Sequence, residues 1–90
     1  MVSQEIKLDL KEGMQATTAS EIIQFLKDFN GKITMKHPNG TANCKSIINL
    51  LALELGPYPT VEITIEGEEE VEELEDFIDF LKELKEKSEE

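Results

Sequence analysis

The chain has 90 residues, a formal net charge of −11, one cysteine, one histidine and no arginine, and this length suits one domain over residues 1–90 with a single core. With one cysteine and one histidine, the chain cannot form an intramolecular disulfide and has no zinc-ligand spacing, so no metal or cofactor is indicated. No apolar stretch has the length of a membrane span or a signal peptide, so we expect a cytoplasmic protein. Residues 61–90 hold three lysines against fourteen acids whereas residues 1–60 are neutral, which leaves no cationic face for direct nucleic-acid binding.

The first predicted elements are a strand and a helix. Residues 6–10 alternate between apolar and polar side chains, which is typical of a strand with one buried face. Thr18 and Glu21 then match a capping box, in which a hydroxyl and a carboxylate accept from free backbone N–H groups at a helix start. Apolar residues recur at helical spacing from Ala19 to Phe29, and Asn30-Gly31 is a suitable stop.

A hairpin and a short helix are predicted next. The strand that begins at Ile33 and Met35 leads into Pro38-Asn39-Gly40, a hairpin turn in which Asn and Gly tolerate positive φ, and a third strand follows over residues 41–44. Ser46 precedes an apolar run at helical spacing and is therefore predicted to be the N-cap of the second helix.

The last third of the chain predicts a strand and a long helix. Gly56-Pro57-Tyr58-Pro59 ends the second helix, and residues 61–65 alternate as a fourth strand. An apolar stripe from Val71 to Leu84 forms the third helix, with acids in its first turns, and residues 85–90 are expected to fray. We interpret the acidic run as a solvated helix face, with a dedicated basic partner as the alternative.

The order βαββαβα therefore predicts an α/β (α+β) fold. One four-stranded antiparallel sheet is covered on one face by three amphipathic helices, as an open-faced β-sandwich.

This order and several motifs resemble the HPr (histidine-containing phosphocarrier) family of the bacterial phosphoenolpyruvate-dependent sugar phosphotransferase system. The most specific motif is NCKSIINLL at residues 43–51, which is similar to the family's Asn-Ala-Lys-Ser-Ile-Met-Gly-Leu-Met segment. Residues 62–65 and 67–70 are similar to the family's last strand and the turn into its last helix.

The family's first helix opens with Gly-x-His-Ala-Arg-Pro-Ala, whose histidine carries the phosphoryl group. In the corresponding run Gly13–Ala19, Gln15 stands at the His position, Thr17 at the Arg position and Thr18 at the Pro position. An amide nitrogen has a delocalised lone pair and is not a credible phosphoryl acceptor, so no catalytic residue is assigned. The sole imidazole, His37, lies in the predicted hairpin and is interpreted as an exposed turn residue.

Hydroxyls near this helix start offer an alternative. Thr17, Thr18 and Ser20 would be accessible acceptors, but without a neighbouring base they are poor nucleophiles, and we interpret them as caps. Cys44 is interpreted as a small core residue, with a redox role as the alternative.

The resemblance moves the functional hypothesis to Ser46. In Gram-positive members an ATP-dependent kinase/phosphorylase modifies the corresponding serine, and the Crh group of the family resembles this chain in having Gln at the His position. The resemblance thus implies regulatory phosphorylation at Ser46, with HPr kinase/phosphorylase and a catabolite control transcription regulator as suspected partners. Thr17, Ile47, Ile48 and Leu51 are the implied partner-binding residues. The alternative is that Ser46 is only an N-cap and that Ile47, Leu50 and Leu51 are mainly core.

We therefore predict a non-catalytic regulatory or binding protein of carbon catabolite control that is not an enzyme. A phosphocarrier in sugar uptake that uses a non-standard residue and an unphosphorylated adaptor remain as alternatives. Several positions depart from the family pattern, since Gln24 and Lys27 lie where members commonly present basic residues, and Thr17 lacks the charge of the family's Arg. Either a monomer or a dimer is compatible with the sequence.

Overall fold

The structure is a computed structural model that describes residues 1–84. Its elements are β1 (Val2–Lys7), α1 (Ala16–Leu26), β2 (Lys32–His37), β3 (Gly40–Asn43), α2 (Ile47–Ala52), β4 (Thr60–Glu66) and α3 (Glu70–Glu83). This order confirms the predicted βαββαβα arrangement. The expectation that residues 85–90 fray lies outside the described residues.

The four strands form one antiparallel sheet in the order β1-β4-β2-β3. Paired positions place apolar side chains on one face, for example Met35 opposite Ile63 and Ile33 opposite Ile65. The other face is polar, and on it the hydroxyls of Ser3 and Thr64 lie 2.8 Å apart. One face is therefore buried under the helices and the other is open, which confirms the predicted open-faced arrangement.

The core lies between the sheet and the helices. Leu26, Ile63 and Leu50 are fully buried, and Phe77 is the largest of the side chains that solvent does not reach. Helix α3 contacts β1 and β4, while α2 contacts both α1 and β3. Within residues 1–84, no helix is long and apolar enough to cross a membrane.

Strand β1 ends earlier than the alternation of residues 6–10 predicted. Leu8 and Leu10 are buried, as the pattern indicated, but both lie beyond the strand. The Leu8 N–H donates to the Pro59 carbonyl at 2.8 Å, and the Leu10 carbonyl accepts from the N–H groups of Gly13 at 3.0 Å and Tyr58 at 2.9 Å. The Leu8 bond continues the β1–β4 register, and the pairing ends there because Pro59 has no N–H to return the second bond of that pair. The bonds at Leu10 hold the buried segment that follows.

The hairpin between β2 and β3 is confirmed, although the physical reason differs from the predicted one. His37 pairs with Gly40, so Pro38 and Asn39 form the connection. Asn39 does not adopt positive φ. Its side-chain amide instead donates to the Leu53 carbonyl at 2.8 Å, which ties the turn to the end of α2.

Two helices end before their predicted stops, and one predicted core residue is exposed. Helix α1 ends at Leu26, ahead of Asn30-Gly31. Helix α2 ends at Ala52, and two residues later Glu54 has a positive φ of 51°, before the proline-rich segment. In α3, Val71 is 55% exposed although it was assigned to the apolar stripe. Glu73, which belongs to the acidic run, is buried.

Candidate functional site

Helix α1 begins at Gln15, not at a threonine. Gln15 is the N-cap with extended backbone, and its carbonyl accepts from the Ala19 N–H at 2.9 Å. Its exposed side chain makes no capping bond and donates to Glu12 Oε1 at 3.1 Å. The predicted Thr18–Glu21 capping box is therefore wrong, because Thr18 lies in the first turn of the helix and is only 6% exposed.

The other hydroxyls of this segment are not at the N-cap position either. Thr17 and Ser20 lie within α1 and are exposed. The N-cap residue, Gln15, makes no capping bond with its own side chain.

Gly13 places this helix start against the end of α2. Its φ is +77°, and a Cβ at this position would lie 2.1 Å from the Leu55 carbonyl oxygen. Only glycine permits both this backbone conformation and this approach. The loop that leads to Gln15 is thus held close to the segment that follows α2.

Ser46 is the N-cap of α2, as predicted. Its Oγ accepts from the Asn49 N–H at 3.2 Å, and its carbonyl accepts from the Leu50 N–H at 3.0 Å. The Asn49 side chain in turn accepts from the Asn43 N–H at 3.2 Å, so the turn before the helix is fixed from both sides. The Ser46 hydroxyl proton is not used in the capping bond, and the side chain is half-buried.

Lys45 precedes Ser46 in the chain, but its side chain contacts the segment after α1. Its Nζ donates to the carbonyl of Phe29, just after α1. The ammonium group therefore links the start of α2 to the end of α1. A charge added at Ser46 would depend mainly on the backbone N–H groups of α2.

The predicted partner-binding residues of α2 differ in exposure. Ile48 is 76% exposed and Leu51 is 37% exposed, whereas Leu50 is fully buried and Ile47 is half-buried against the core. The alternative that Ile47, Leu50 and Leu51 are mainly core is correct for Leu50, partly correct for Ile47, and wrong for Leu51. Ile48 and Leu51 form an exposed apolar patch at positions i and i+3, which share a helix face.

The structure separates Gln15 from Ser46. Lys45 reaches the residue just after α1, and Gly13 touches the segment just after α2, so the two helices run antiparallel. With 11 residues, α1 is roughly 16 Å long. Gln15 and Ser46 thus cap opposite ends of the α1–α2 pair, and Thr17 lies at the Gln15 end.

The two other candidate residues, Cys44 and His37, make contacts within the fold. Cys44 is fully buried, as predicted, and burial raises the pKa of its thiol to about 12. His37 is half-buried at the end of β2, not freely exposed as predicted, and its Nδ1 accepts from the Asn39 N–H at 3.1 Å. Over residues 1–84, His, Cys, Asp and Glu form no cluster suited to a metal ion.

Two features were missed by the sequence reasoning. Glu73 belongs to the acidic run, yet its buried carboxylate accepts from the N–H groups of Asn30 at 2.9 Å and Gly31 at 3.0 Å. Phe25 of α1 stacks on Phe80 of α3 with ring centroids 4.2 Å apart. The sequence feature that predicts burial of Glu73 is its position four residues before the core residue Phe77, because residues at this spacing share a helix face.

Comparisons with known proteins agree with this geometry. Residues 2–83 match the sequence model of the PTS-HPr family, described as "PTS HPr component phosphorylation site". The chain is 31% identical over 70 residues to the HPr-like protein Crh of Halalkalibacterium halodurans, and this alignment covers 78% of the chain and 83% of the relative.

Solved structures give the same result. HPr-C-His from Thermoanaerobacter tengcongensis has a TM-score of 0.82 and 26% identity, over 91% of this chain and 92% of its own. Crh of Bacillus subtilis, described as a dimer with a swapped domain, has a TM-score of 0.72 and 30% identity, over 92% and 95% of the two chains. The fold, the family match and the Crh relatives together establish that the chain belongs to the HPr family of the sugar phosphotransferase system.

Proposed function

We propose that this chain is a cytoplasmic, non-catalytic regulator of carbon catabolite control in which Ser46, not Gln15, carries the functional phosphate. The observation that carries the proposal is the combination of an exposed amide at the start of α1 and a serine hydroxyl beside an exposed apolar patch on α2. The likeness to Crh supports a regulatory role.

The chemistry at Gln15 disfavours phosphotransfer. Its side-chain nitrogen is an amide that donates to Glu12, and the exposed alternative nucleophiles of α1 near this position, Thr17 and Ser20, carry only hydroxyls. Hydroxyls need a base to become competent nucleophiles. This chemistry therefore argues against the alternative of a phosphocarrier that uses a non-standard residue.

The chemistry at Ser46 favours modification by a kinase. Transfer of the γ-phosphoryl group of ATP to Oγ forms a phosphoester, releases ADP and passes the hydroxyl proton to a base of the kinase. The product adds about −1.5 to −2 charge beside the first N–H groups of α2. We infer that HPr kinase/phosphorylase supplies this step and that a catabolite control transcription regulator reads it through Ile48 and Leu51, with Ile47 and Thr17 as flanking contacts.

Two incubations followed by intact-mass and peptide mass spectrometry test the assignment. With ATP and HPr kinase/phosphorylase we expect one phosphoryl group at Ser46, which Ser46→Ala abolishes and the matched Ser20→Ala leaves unchanged. With phosphoenolpyruvate and Enzyme I we expect no acid-labile phosphate, with a His-containing HPr as the positive control. An acid-labile phosphate would support the carrier alternative, and the absence of phosphate at Ser46 would support the unphosphorylated adaptor.

The docking patch has its own test. Burial of one such apolar side chain contributes roughly 1.5–3 kcal/mol, so Ile48→Ala should weaken binding of the phosphorylated chain to the regulator by roughly tenfold or more. Val71→Ala is the matched control, because Val71 is an exposed aliphatic residue on α3. Equal effects of the two substitutions in a calorimetric titration would remove Ile48 from the interface.

A further inference from the structure

A groove between α1 and α3 lies apart from both Gln15 and the α2 patch. It has a volume of about 470 Å³. We call it the aromatic groove. It is lined by three phenylalanines and three acids: Phe25, Phe29, Phe80, Asp76, Asp79 and Glu83.

The aromatic groove combines open ring faces with negative charge. Phe25 and Phe80 stack with centroids 4.2 Å apart, and Phe29 packs against Phe25 at 5.3 Å with a tilt of 52°. All three rings are half-buried, so part of each remains accessible to a ligand. Phe77 continues the stack into the core at 6.3 Å from Phe25, which anchors the outer rings.

The acids lie on one side of this groove. Asp76, Asp79 and Glu83 recur at spacings of three and four residues, so they follow one face of α3. None of their carboxylates forms a hydrogen bond or an ion pair with another residue of the part of the chain described. No lysine lines the groove. The site therefore presents apolar surface with three negative charges at its edge that no residue of the described segment 1–84 pairs with.

We propose that the aromatic groove binds a basic amphipathic peptide segment of a partner protein. The apolar side chains of such a segment would cover the phenylalanine rings, and its lysine or arginine side chains would pair with the acids and lie over ring faces. Charge complementarity selects this occupant, because a second copy of the same face would bring three further carboxylates against these three. The lining of the aromatic groove includes neither Ser46 nor the exposed α2 residues, although Lys45 beside Ser46 bonds to the carbonyl of Phe29 at its border.

The test uses a synthetic amphipathic helical peptide with leucine on one face and lysine on the other, titrated into the ¹⁵N-labelled protein and followed by NMR and calorimetry. A peptide of the same pattern with glutamate for lysine is the negative control. We expect amide shifts concentrated at Phe25, Phe29 and residues 76–83, and we expect affinity to fall as salt is added.

Matched charge variants decide whether the groove itself is recognised. The groove variant neutralises the three acids, and the control neutralises three exposed acids on the open face of the sheet, in each case changing the net charge equally. The two sets are Asp76→Asn, Asp79→Asn, Glu83→Gln and Glu5→Gln, Glu62→Gln, Glu66→Gln. We expect roughly tenfold weaker binding for the groove variant and less than twofold change for the control.

Several outcomes would overturn the proposal. Equal weakening in the two variants would indicate non-specific charge attraction, and shifts centred on α2 would place the peptide elsewhere. Concentration-dependent shifts of the groove amides without peptide would assign the face to a second copy. Phe80→Leu, which keeps an apolar side chain but removes the ring, should also weaken peptide binding while the dispersed spectrum shows that the fold is retained.

Discussion

The buried carboxylate of Glu73 gives the sharpest prediction about stability. It accepts two hydrogen bonds from the backbone of Asn30 and Gly31, and the bond to Gly31 is buried. These two residues connect α1 to β2, so one side chain of α3 holds a loop 42 and 43 residues away. Glu73→Ala would leave both N–H groups without this acceptor.

The magnitude follows from how far water can reach each group. An unpaired buried N–H costs about 1–3 kcal/mol, and the part-buried Asn30 N–H costs less because water can replace the carboxylate. We therefore expect Glu73→Ala to lower the free energy of unfolding by about 2–4 kcal/mol. Glu73→Gln keeps one acceptor oxygen and should lower it by about 1–2 kcal/mol.

Urea denaturation and hydrogen exchange measure this effect. With an m-value of about 1 kcal/mol/M, Glu73→Ala should lower the midpoint by about 2–4 M, and exchange of the Gly31 amide should accelerate relative to the β4 amides. The control is Glu75→Ala, an exposed residue of the same helix, which should change the free energy of unfolding by less than about 0.5 kcal/mol. Similar losses for Glu73→Ala and Glu75→Ala would refute the reasoning.

Three further predictions concern single groups. Gly13→Ala should cost about 2 kcal/mol or more in unfolding experiments because positive φ and a backbone contact both oppose a Cβ, whereas Gly56→Ala, with open space around it, should cost little; equal costs would contradict this. Cys44 should resist alkylation by iodoacetamide at pH 8 until the chain is denatured, and because its folded pKa is raised to about 12, its contribution to stability should be lost as pH rises above 9.0; rapid native labelling would argue against burial. The hydrogen bond from the N-terminal amine, with that from the Gly67 N–H, lowers the pKa of Glu70 below 4.5. The stabilising contribution of Glu70 is therefore present above pH 4.5 and is lost as pH falls through the lowered pKa. An NMR titration should show the lowered pKa and N-terminal acetylation should raise that pKa, whereas no change on acetylation would exclude the amine as the main cause.

The proposals about function divide the surface into separate regions. Ser46 and the exposed α2 residues occupy one region, and the aromatic groove lies between α1 and α3. Solved structures of both Crh and HPr include dimers, so the oligomeric state of this chain should be measured alongside each binding experiment. Ultracentrifugation of the phosphorylated and unphosphorylated chain would separate partner binding from self-association.

Local patterns were sufficient for most of the fold. Strand alternation and helical spacing depend on neighbouring residues, so the element order, the β2–β3 hairpin and the Ser46 N-cap could all be predicted from the sequence. The cap at Ser46 was predictable because its partner, the Asn49 N–H, lies three residues away. Where several hydroxyls competed, as at Thr17 and Thr18, local chemistry could not determine the helix start.

Contacts between distant residues decided the rest. The helix start moved to Gln15 because the register buries Thr18, and the first strand ended at Lys7 because Pro59, which faces Leu8, has no N–H to return a second bond. Glu73 resembles its acidic neighbours in sequence, and only the approach of residues 30 and 31 buries it with two partners.

The sequence by itself determined the family fold, the Gln at position 15 and the serine at position 46, because these follow from local periodicity and residue identity. Tertiary structure alone placed Gln15 and Ser46 at opposite ends of two antiparallel helices and brought Phe25 against Phe80 to form the aromatic groove. The physical reason is that helix spacing specifies which side chains share a face, whereas burial of those faces against one sheet specifies which helices meet.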